Sequence, residues 1–329
     1  MNKAFMTSYY LTDEEFIKEW KAIGSPYGFS SKHGMSLRSI YNRRRTLETR
    51  YGIELITFND QRFSPTKKIQ QTHGNVRRGM DIEKGKVVVF SDAHFQPDET
   101  TTAFKALLAI IKAFKPDIKA IVANGDIFDG SQASRHPRIN WSQTPTVKEE
   151  LEACQFFMTE IEKAASKNTE LIWTLGNHDA RFETFLSNSG ITTYEGVLGF
   201  SLKDHFPMWK SCWSFYVNED TCIKHRWKGG FNGGRANTLN SGLNYITGHT
   251  HNLSAMPLTD SNGTRWGVQT GCLADPKSEA FIHYTEDAPT DWRSGFVLLS
   301  WENGRMLMPE LIMVSGEDEF EFRGCINKV

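Results

Sequence analysis

The sequence predicts a layered α/β domain, a β-sandwich flanked by helices, preceded by a small basic helical domain. Three observations carry this. From Lys86 onward strand-sized and helix-sized segments alternate as β-α-β-α-β and then give way to a β-rich half. The segment before Lys86 reads as amphipathic helices followed by short strands. Charge divides at the same place: residues 1–86 carry 16 Lys and Arg against 9 Asp and Glu, and the rest carries 22 against 30. With 329 residues, one large and one small domain are expected, at 1–80 and 81–329.

In the N-terminal part, Thr12-Asp13-Glu14-Glu15 reads as a capping box, followed by Phe16, Ile17 and Trp20 as a buried stripe. Gly24, Pro26 and Gly28 are expected to break the helix. A second helix runs from about Ser36 to Tyr51, with Gly52 placed to end it. Leu37, Ile40, Tyr41, Leu47 and Tyr51 form its apolar side, and Arg38, Asn42 and Arg45 fall opposite. Ile53–Phe58 reads as a strand, with a polar, basic stretch behind it to about Arg78. In the larger part, Val87–Phe90 is a continuous apolar run, as expected of a strand covered on both faces. A helix at Phe104–Ile111, a strand at Ile118–Ala123, a helix around Leu151–Ile161 and a strand at Leu171–Leu175 follow. Short strands are expected near Trp213–Val217, Cys222–His225, Tyr245–Thr247, Trp266–Thr270 and Gly295–Trp301.

The longest apolar runs are strand-sized and too short for a bilayer, and the N-terminus lacks the apolar core of a secretory signal. The five cysteines are scattered without a Cys-x-x-Cys pair, which argues against a disulfide framework or thiolate zinc site. A cytoplasmic protein with no membrane association is the expectation.

Four strands end in metal-binding residue types: Ser91-Asp92-Ala93-His94, Asn124-Gly125-Asp126-Ile127-Phe128-Asp129, Gly176-Asn177-His178-Asp179 and Gly248-His249-Thr250-His251. Residues two apart on extended chain share a side, so Asp92 and His94, or His249 and His251, can face one ion. Glycine before Asp126, Asn177 and His249 permits a sharp turn. Sites of open α/β sheets gather at strand carboxyl ends, so these loops can converge. Imidazole, carboxylate and amide without thiolate suit two divalent ions, manganese first, with iron or zinc as alternatives. Two ions roughly 3.5–4 Å apart need a shared carboxylate, for which Asp126 is the natural bridge, and a bridging hydroxide is then a strong nucleophile.

Asp-x-His, Gly-Asp-x-x-Asp, Gly-Asn-His-Asp, an isolated His225 and Gly-His-x-His, in that order over residues 92–251, resemble the calcineurin-like metallophosphoesterase superfamily. The resemblance implies that Asp92, His94, Asp126 and His251 hold one ion, and Asp126, Asn177, His225 and His249 the other. It implies that His178 contacts the phosphate or protonates the leaving oxygen, with Asp179 orienting it. Arg226 follows His225 where family members often have glycine. His33, His73, His136, His205 and His283 are expected in surface or core roles.

Gly-Asp-Ile-Phe-Asp resembles the Mre11/SbcD-like nuclease branch, and Gly130-Ser131 and Asp179 depart from the protein serine/threonine phosphatase pattern. The N-terminal part resembles a winged helix-turn-helix, with Arg38, Asn42, Arg43 and Arg45 toward DNA and Lys67, Lys68, Arg77 and Arg78 in a wing. Arg135, Arg138 and Trp141 lie in an insertion that leaves the Asp126 loop and suits phosphate contact and base stacking. A DNA nuclease or phosphodiesterase is the leading expectation. A phosphatase or small-molecule phosphodiesterase with a structural N-terminal part, and a DNA-binding regulator with a vestigial site, are the alternatives. Neither homo-oligomerisation nor an ATPase partner is readable from the sequence.

Overall fold

The computed structural model describes residues 11–55, 76–97, 99–135, 144–230, 232–278, 281–282, 285–286 and 288–329. The chain divides into two compact units, Met1–Gln71 and Thr72–Val329.

In the first unit, α1 (Asp13–Ile23) starts at the expected capping box. Thr12 Oγ1 accepts from the Glu15 N–H, and the Glu15 carboxylate accepts from the Thr12 N–H. Left-handed Gly24 ends it. Where the sequence suggested only a break, Pro26 opens a second helix, α2 (Pro26–His33), capped by Ser25. Proline at the first helical position forfeits an N–H that would be unpaired anyway. Gly28 sits inside α2, where a Cβ would stand 2.9 Å from Ile23 Cγ2. Next, α3 (Leu37–Tyr51) runs from its Ser36 cap to left-handed Gly52, as the sequence implies. Phe16, Trp20, Phe29, Ile40, Leu47 and Leu55 form the core of this unit. Tyr41 and Tyr51, read as part of the apolar side, are instead 41% and 51% exposed. Ile53–Leu55 pairs with no strand among the described residues, and the rest of the expected Ile53–Phe58 strand lies outside them, as do Lys67, Lys68 and His73.

The second unit contains β1 (Arg77–Met80), β2 (Gly85–Phe90), α4 (Thr102–Ala113), β3 (Ile118–Ala123), α5 (Val147–Ala164), β4 (Glu170–Thr174), α6 (Arg181–Asn188), β5 (Lys210–Cys212), β6 (Ser214–Val217), β7 (Thr221–Ile223), α7 (Gly233–Ser241) and β8 (Asn244–Thr247). It continues through β9 (Leu253–Asp260), β10 (Gly263–Thr270), β11 (Gly295–Glu302), β12 (Arg305–Met306), β13 (Glu310–Gly316), β14 (Glu319–Phe322) and β15 (Cys325–Lys328). One sheet is ordered β1-β6-β7-β8-β10-β9. The other is ordered β15-β14-β13-β11-β2-β3-β4-β5, with β12 beside β11. Parallel pairing of β2, β3 and β4, and of β7 with β8, sends the loops that follow these strands toward the ends that carry the metal-binding residue types.

Alternation along β2 explains its apolar run. Val87 and Val89 face the space between the sheets with Val217, Ile223, Ile246 and Val268. Val88 and Phe90 face the helices, among Phe104, Leu107, Phe157 and Ile161. Each such burial contributes roughly 1.5–3 kcal/mol, so β2 is anchored on both faces and fixes the loop that follows it. Arg77 and Arg78 are not in a wing. β1 pairs in parallel with β6, placing Arg77 opposite Ser214 and Arg78 opposite Phe215, so both belong to the second unit's sheet. Among the described residues no helix is long and apolar enough to cross a membrane. All five cysteines are free, with Cys325 exposed.

Candidate metal centre

The loops after β2, β3, β4, β7 and β8 meet. Asp92, His94 and His251 offer ligand atoms within 4.8 Å of one another, as do Asp126, His225 and His249. The clusters adjoin: the Asp126 charge acts on His94, and the Asp92 charge on His225. Asn177 follows Gly176 in the loop whose His178 N–H donates to Asp126 Oδ1 at 2.8 Å. All seven expected ligands therefore stand on loops drawn to one place.

Close approach shapes these loops. Asp92, His94, Asp126, His249 and His251 all hold left-handed backbone, with φ between 42° and 70°. Non-glycine residues there cost on the order of 1–3 kcal/mol each and gather at functional sites. Of the three glycines read as turn formers, only Gly125 has positive φ, at 84°. Gly176 and Gly248 serve proximity instead. A Cβ at Gly176 would stand 2.0 Å from Asp126 Oδ1, and one at Gly248 2.7 Å from Asp92 Oδ2.

The donor set fits cations. Four buried atoms, His94 Nε2, His225 Nε2, His251 Nδ1 and Asn177 Oδ1, lack a hydrogen-bond partner among the described residues. His225 Nδ1 lies 2.7 Å from Asn124 O, which places the ring proton there and leaves a lone pair on Nε2. Nε2 faces Asp126 Oδ2 at 3.1 Å. A positive charge, either a second ring proton or a metal ion, must lie between these two atoms. Burial works to lower His94 and His225, but Asp129, Asp126 and Asp92 outweigh it and hold both up at about 9. A metal ion must therefore displace a proton at each. Burial and the His225 charge lower His249. Asp92 is tied by the His249 N–H at 2.9 Å and by the Ser91 hydroxyl.

Asp179 does not orient His178. Its buried carboxylate accepts from the N–H groups of Asp126 (2.9 Å), Ile127 (3.0 Å), Phe128 (3.0 Å) and Gly176 (2.7 Å), and from the Trp173 indole (3.0 Å). Asp129 takes the orienting role. Its Oδ1 lies 2.7 Å from His178 Nδ1 and 3.0 Å from His94 Nδ1, so one oxygen accepts from both rings and fixes their orientation. Burial pushes against the Asp129 charge, but these two imidazoles hold its carboxyl well below the usual range. Arg181 Nη2 reaches His178 Nε2 at 3.1 Å, and its Nη1 donates to Asp129 O at 2.9 Å. The sequence signal for Asp129 was its place as the second acid of Gly-Asp-Ile-Phe-Asp. For Arg181 it was only proximity to His178.

The expected nucleic-acid contacts part company. Arg38, Asn42 and Arg45 are exposed on α3. Arg43 is not directed outward: it bonds Leu11 O, reaches Asp13 at 3.3 Å and lies 5.1 Å from the Phe16 ring centre. Arg135 is exposed beside the metal centre, whereas His136, Arg138 and Trp141 lie outside the described residues, as does His283. His205 accepts no ligand role, with Nε2 2.9 Å from Gly199 O, and His33 sits near Glu19.

Two hollows flank the centre. On the His94 and His251 side, a cavity of about 220 Å³ is walled by Phe95, Phe104, Phe157, Phe281 and Trp292, with Glu99 at its edge. On the Asn177 side, a groove of about 780 Å³ is lined by Arg135, Arg181, Lys224, Arg226 and Trp213.

A family model described as calcineurin-like phosphoesterase matches residues 85–253, just over half of the chain. No curated protein sequence matches. Three solved structures show weak similarity. A novel archaeal phosphodiesterase is 16% identical over 69% of this chain and 99% of that one, with a TM-score of 0.35. Vps29 of Chaetomium thermophilum is 9% identical over 74% and 97%, with a TM-score of 0.37. A predicted phosphoesterase of Streptococcus pneumoniae TIGR4 is 10% identical over 75% and 98%, with a TM-score of 0.31. At such distances these likenesses say nothing of substrate.

Proposed function

The chain belongs to the calcineurin-like phosphoesterase family, and from that premise we propose that it is a two-metal phosphodiesterase that cleaves DNA. One observation carries the catalytic reading: seven ligand side chains from five loops converge, and four of their buried donor atoms are left without a protein partner. Asp92, His94, Asp126 and His251 would hold one ion, and Asp126, Asn177, His225 and His249 the other, with manganese the first choice. Bound divalent cations supply Lewis acidity toward the phosphoryl group and a water nucleophilic at neutral pH.

The side chains around them orient and move protons. Hydrolysis adds water across a P–O bond, so the departing alkoxide oxygen needs a proton. His178 is placed to deliver it from Nε2, because Asp129 holds the opposite nitrogen as N–H. Arg181, now directed at that Nε2, would turn to an incoming phosphate oxygen and leave His178 free to carry the proton. A diester substrate is supported by Gly-Asp-Ile-Phe-Asp and by an open groove beside the ions, which a monoester would not need.

For the N-terminal unit, the short connection from α2 to α3 and the exposed Arg38, Asn42 and Arg45 support DNA contact. The decisive experiment is a matrix of Mn²⁺, Zn²⁺ and Fe²⁺ against single- and double-stranded DNA, bis-p-nitrophenyl phosphate and p-nitrophenyl phosphate. Metal-stimulated DNA cleavage is expected. Brisk monoester hydrolysis without DNA cleavage would make the protein a phosphatase. DNA binding without turnover on any substrate would make it a regulator. Replacing Arg38 and Arg45 by Ala should flatten the salt dependence of duplex binding, and an unchanged slope would remove DNA contact from α3.

A further inference from the structure

The groove on the Asn177 side has a composition that the two-metal chemistry does not explain. Four cations line it, Arg135, Arg181, Lys224 and Arg226, and among the described residues no carboxylate does. This occurs in a chain whose acids and bases nearly balance, 39 against 38. Arg181 is engaged by Asp129 and His178. Arg135, Lys224 and Arg226 have no ion-pair partner among the described residues. The adjoining hollow beyond Trp213 gives a contrast. There three bases, Arg78, Lys203 and Lys210, stand with an equal number of acids, Asp179, Glu183 and Asp204.

The walls come from separate segments. Arg181, Thr184, Phe185 and Asn188 recur at helical spacing, so one face of α6 forms one side. Trp213, from the link between β5 and β6, and Lys224 and Arg226, flanking the ligand His225, line the groove as well. Trp213 is 43% and Phe185 50% exposed, large apolar rings left in water beside unpaired cations. The inner end of the groove is Asn177 itself, and Arg181 belongs both to the groove and to the His178 contact.

We propose that this groove binds a single strand of DNA on one side of the scissile phosphate, with Arg135, Lys224 and Arg226 on its phosphates and a base stacked on Trp213. Cations alone would suit any polyanion. The exposed indole selects among them, because a base can stack on it only when unpaired from a complementary strand. The assignment rests on the phosphodiesterase reading for its purpose, but its test does not.

Binding is measured on the full chain in EDTA, by the anisotropy of labelled hexathymidylate and of a six-base-pair duplex at several salt concentrations. Losses in the groove variants should be larger for the single strand than for the duplex, whose binding also draws on the N-terminal unit. Lys224→Ala with Arg226→Ala should weaken hexathymidylate binding and reduce the log–log salt slope by about 1.4, or roughly 0.7 per phosphate contact on a single strand. Trp213→Ala should weaken it at least about fivefold with little change in slope. Lys112→Ala with Lys115→Ala, the same loss of charge on α4 and the turn after it, should leave both readouts unchanged. Parent-like binding by the groove variants at an unchanged melting temperature would overturn the proposal, as would an equal loss of duplex binding in those variants. So would equal loss in the Lys112/Lys115 control. Because no metal is present, these outcomes are independent of whether the parent cuts DNA with Mn²⁺, which judges the phosphodiesterase reading separately.

Discussion

In the N-terminal unit, Arg43 reaches Asp13 and Leu11 O and lies over Phe16, Arg50 pairs with Asp13 at 2.8 Å, and Arg44 pairs with Glu48 at 2.9 Å. Its helices carry side-chain caps at their starts and left-handed glycines at their ends. Around the metal centre, five candidate ligands are themselves left-handed, four buried donor atoms lack partners among the described residues, and Arg135, Lys224 and Arg226 of the groove have no ion pair there. Among its described residues the first unit follows local rules and leaves no buried side-chain donor or acceptor without a partner. The second breaks those rules where its ligands converge. Net charge along a sequence therefore does not locate a binding face, since arginines that hold a small core together are counted alike with arginines left open.

If the strain and crowding at the centre serve ion binding, relieving or worsening them should act on catalysis far more than on stability. The largest effect is expected of Gly176→Ala, whose Cβ would overlap Asp126 Oδ1. Displacing the shared carboxylate by even about 1 Å should lower kcat on bis-p-nitrophenyl phosphate by roughly 10²-fold or more. Parent-like turnover would show that Asp126 is not held where the ions need it. Asp129→Asn comes next. It removes the charge that fixes the His94 and His178 rings, and a loss of about 10- to 100-fold in metal affinity or activity is expected. If calorimetry with Mn²⁺ and steady-state kinetics both match the parent, Asp129 does not orient these rings.

A third variant probes the buried surroundings without touching a ligand. Burial, and then the Asp129 charge, push Glu150 up to about 7, while its Oε1 accepts from the Gly130 N–H. The folded protein therefore binds a proton more tightly there than the unfolded chain does. Stability from this group is present below the ordinary glutamate range and is lost as pH rises toward 7. Glu150→Gln should raise stability by on the order of 2 kcal/mol at pH 8 and by almost nothing at pH 4. Denaturant melts showing the same difference at both pH values would sink this account. The smallest effect belongs to the N-terminal unit, where Thr12→Ala removes a cap and should cost about 1 kcal/mol. Bis-p-nitrophenyl phosphate hydrolysis should be unaffected, and a fall in it would mean that the two units are less independent in function than their local chemistry implies.

The sequence disclosed which side chains meet at the candidate centre because such sites repeat simple spacing: Asp92 and His94 two apart, His249 and His251 two apart, each at the end of a strand-sized apolar run. It disclosed α1 and α3 through their caps. It did not disclose α2, since Pro26 and Gly28 read as breakers until the proline falls at a helix start and the glycine under Ile23. Nor did it separate the two acids near His178. Asp179 is adjacent in sequence, but the orienting carboxylate arrives from the β3 loop, 49 residues earlier. The placement of Arg77 and Arg78 depended on pairing with β6, more than 130 residues away. The groove was hidden for the same reason, assembled as it is from four segments none of which is distinctive alone.

Asp179 has a consequence of its own. A single carboxylate gathers four main-chain amides from the loops after β3 and β4 and an indole from β4 itself, so Asp126 and Asn177 ride on one rigid frame. Their separation is then set before any ion arrives. The protein should choose its metals by fit to a fixed gauge and should not be moulded by them. The amides of Asp126, Ile127 and Phe128 should exchange hydrogen slowly even after prolonged dialysis against chelator.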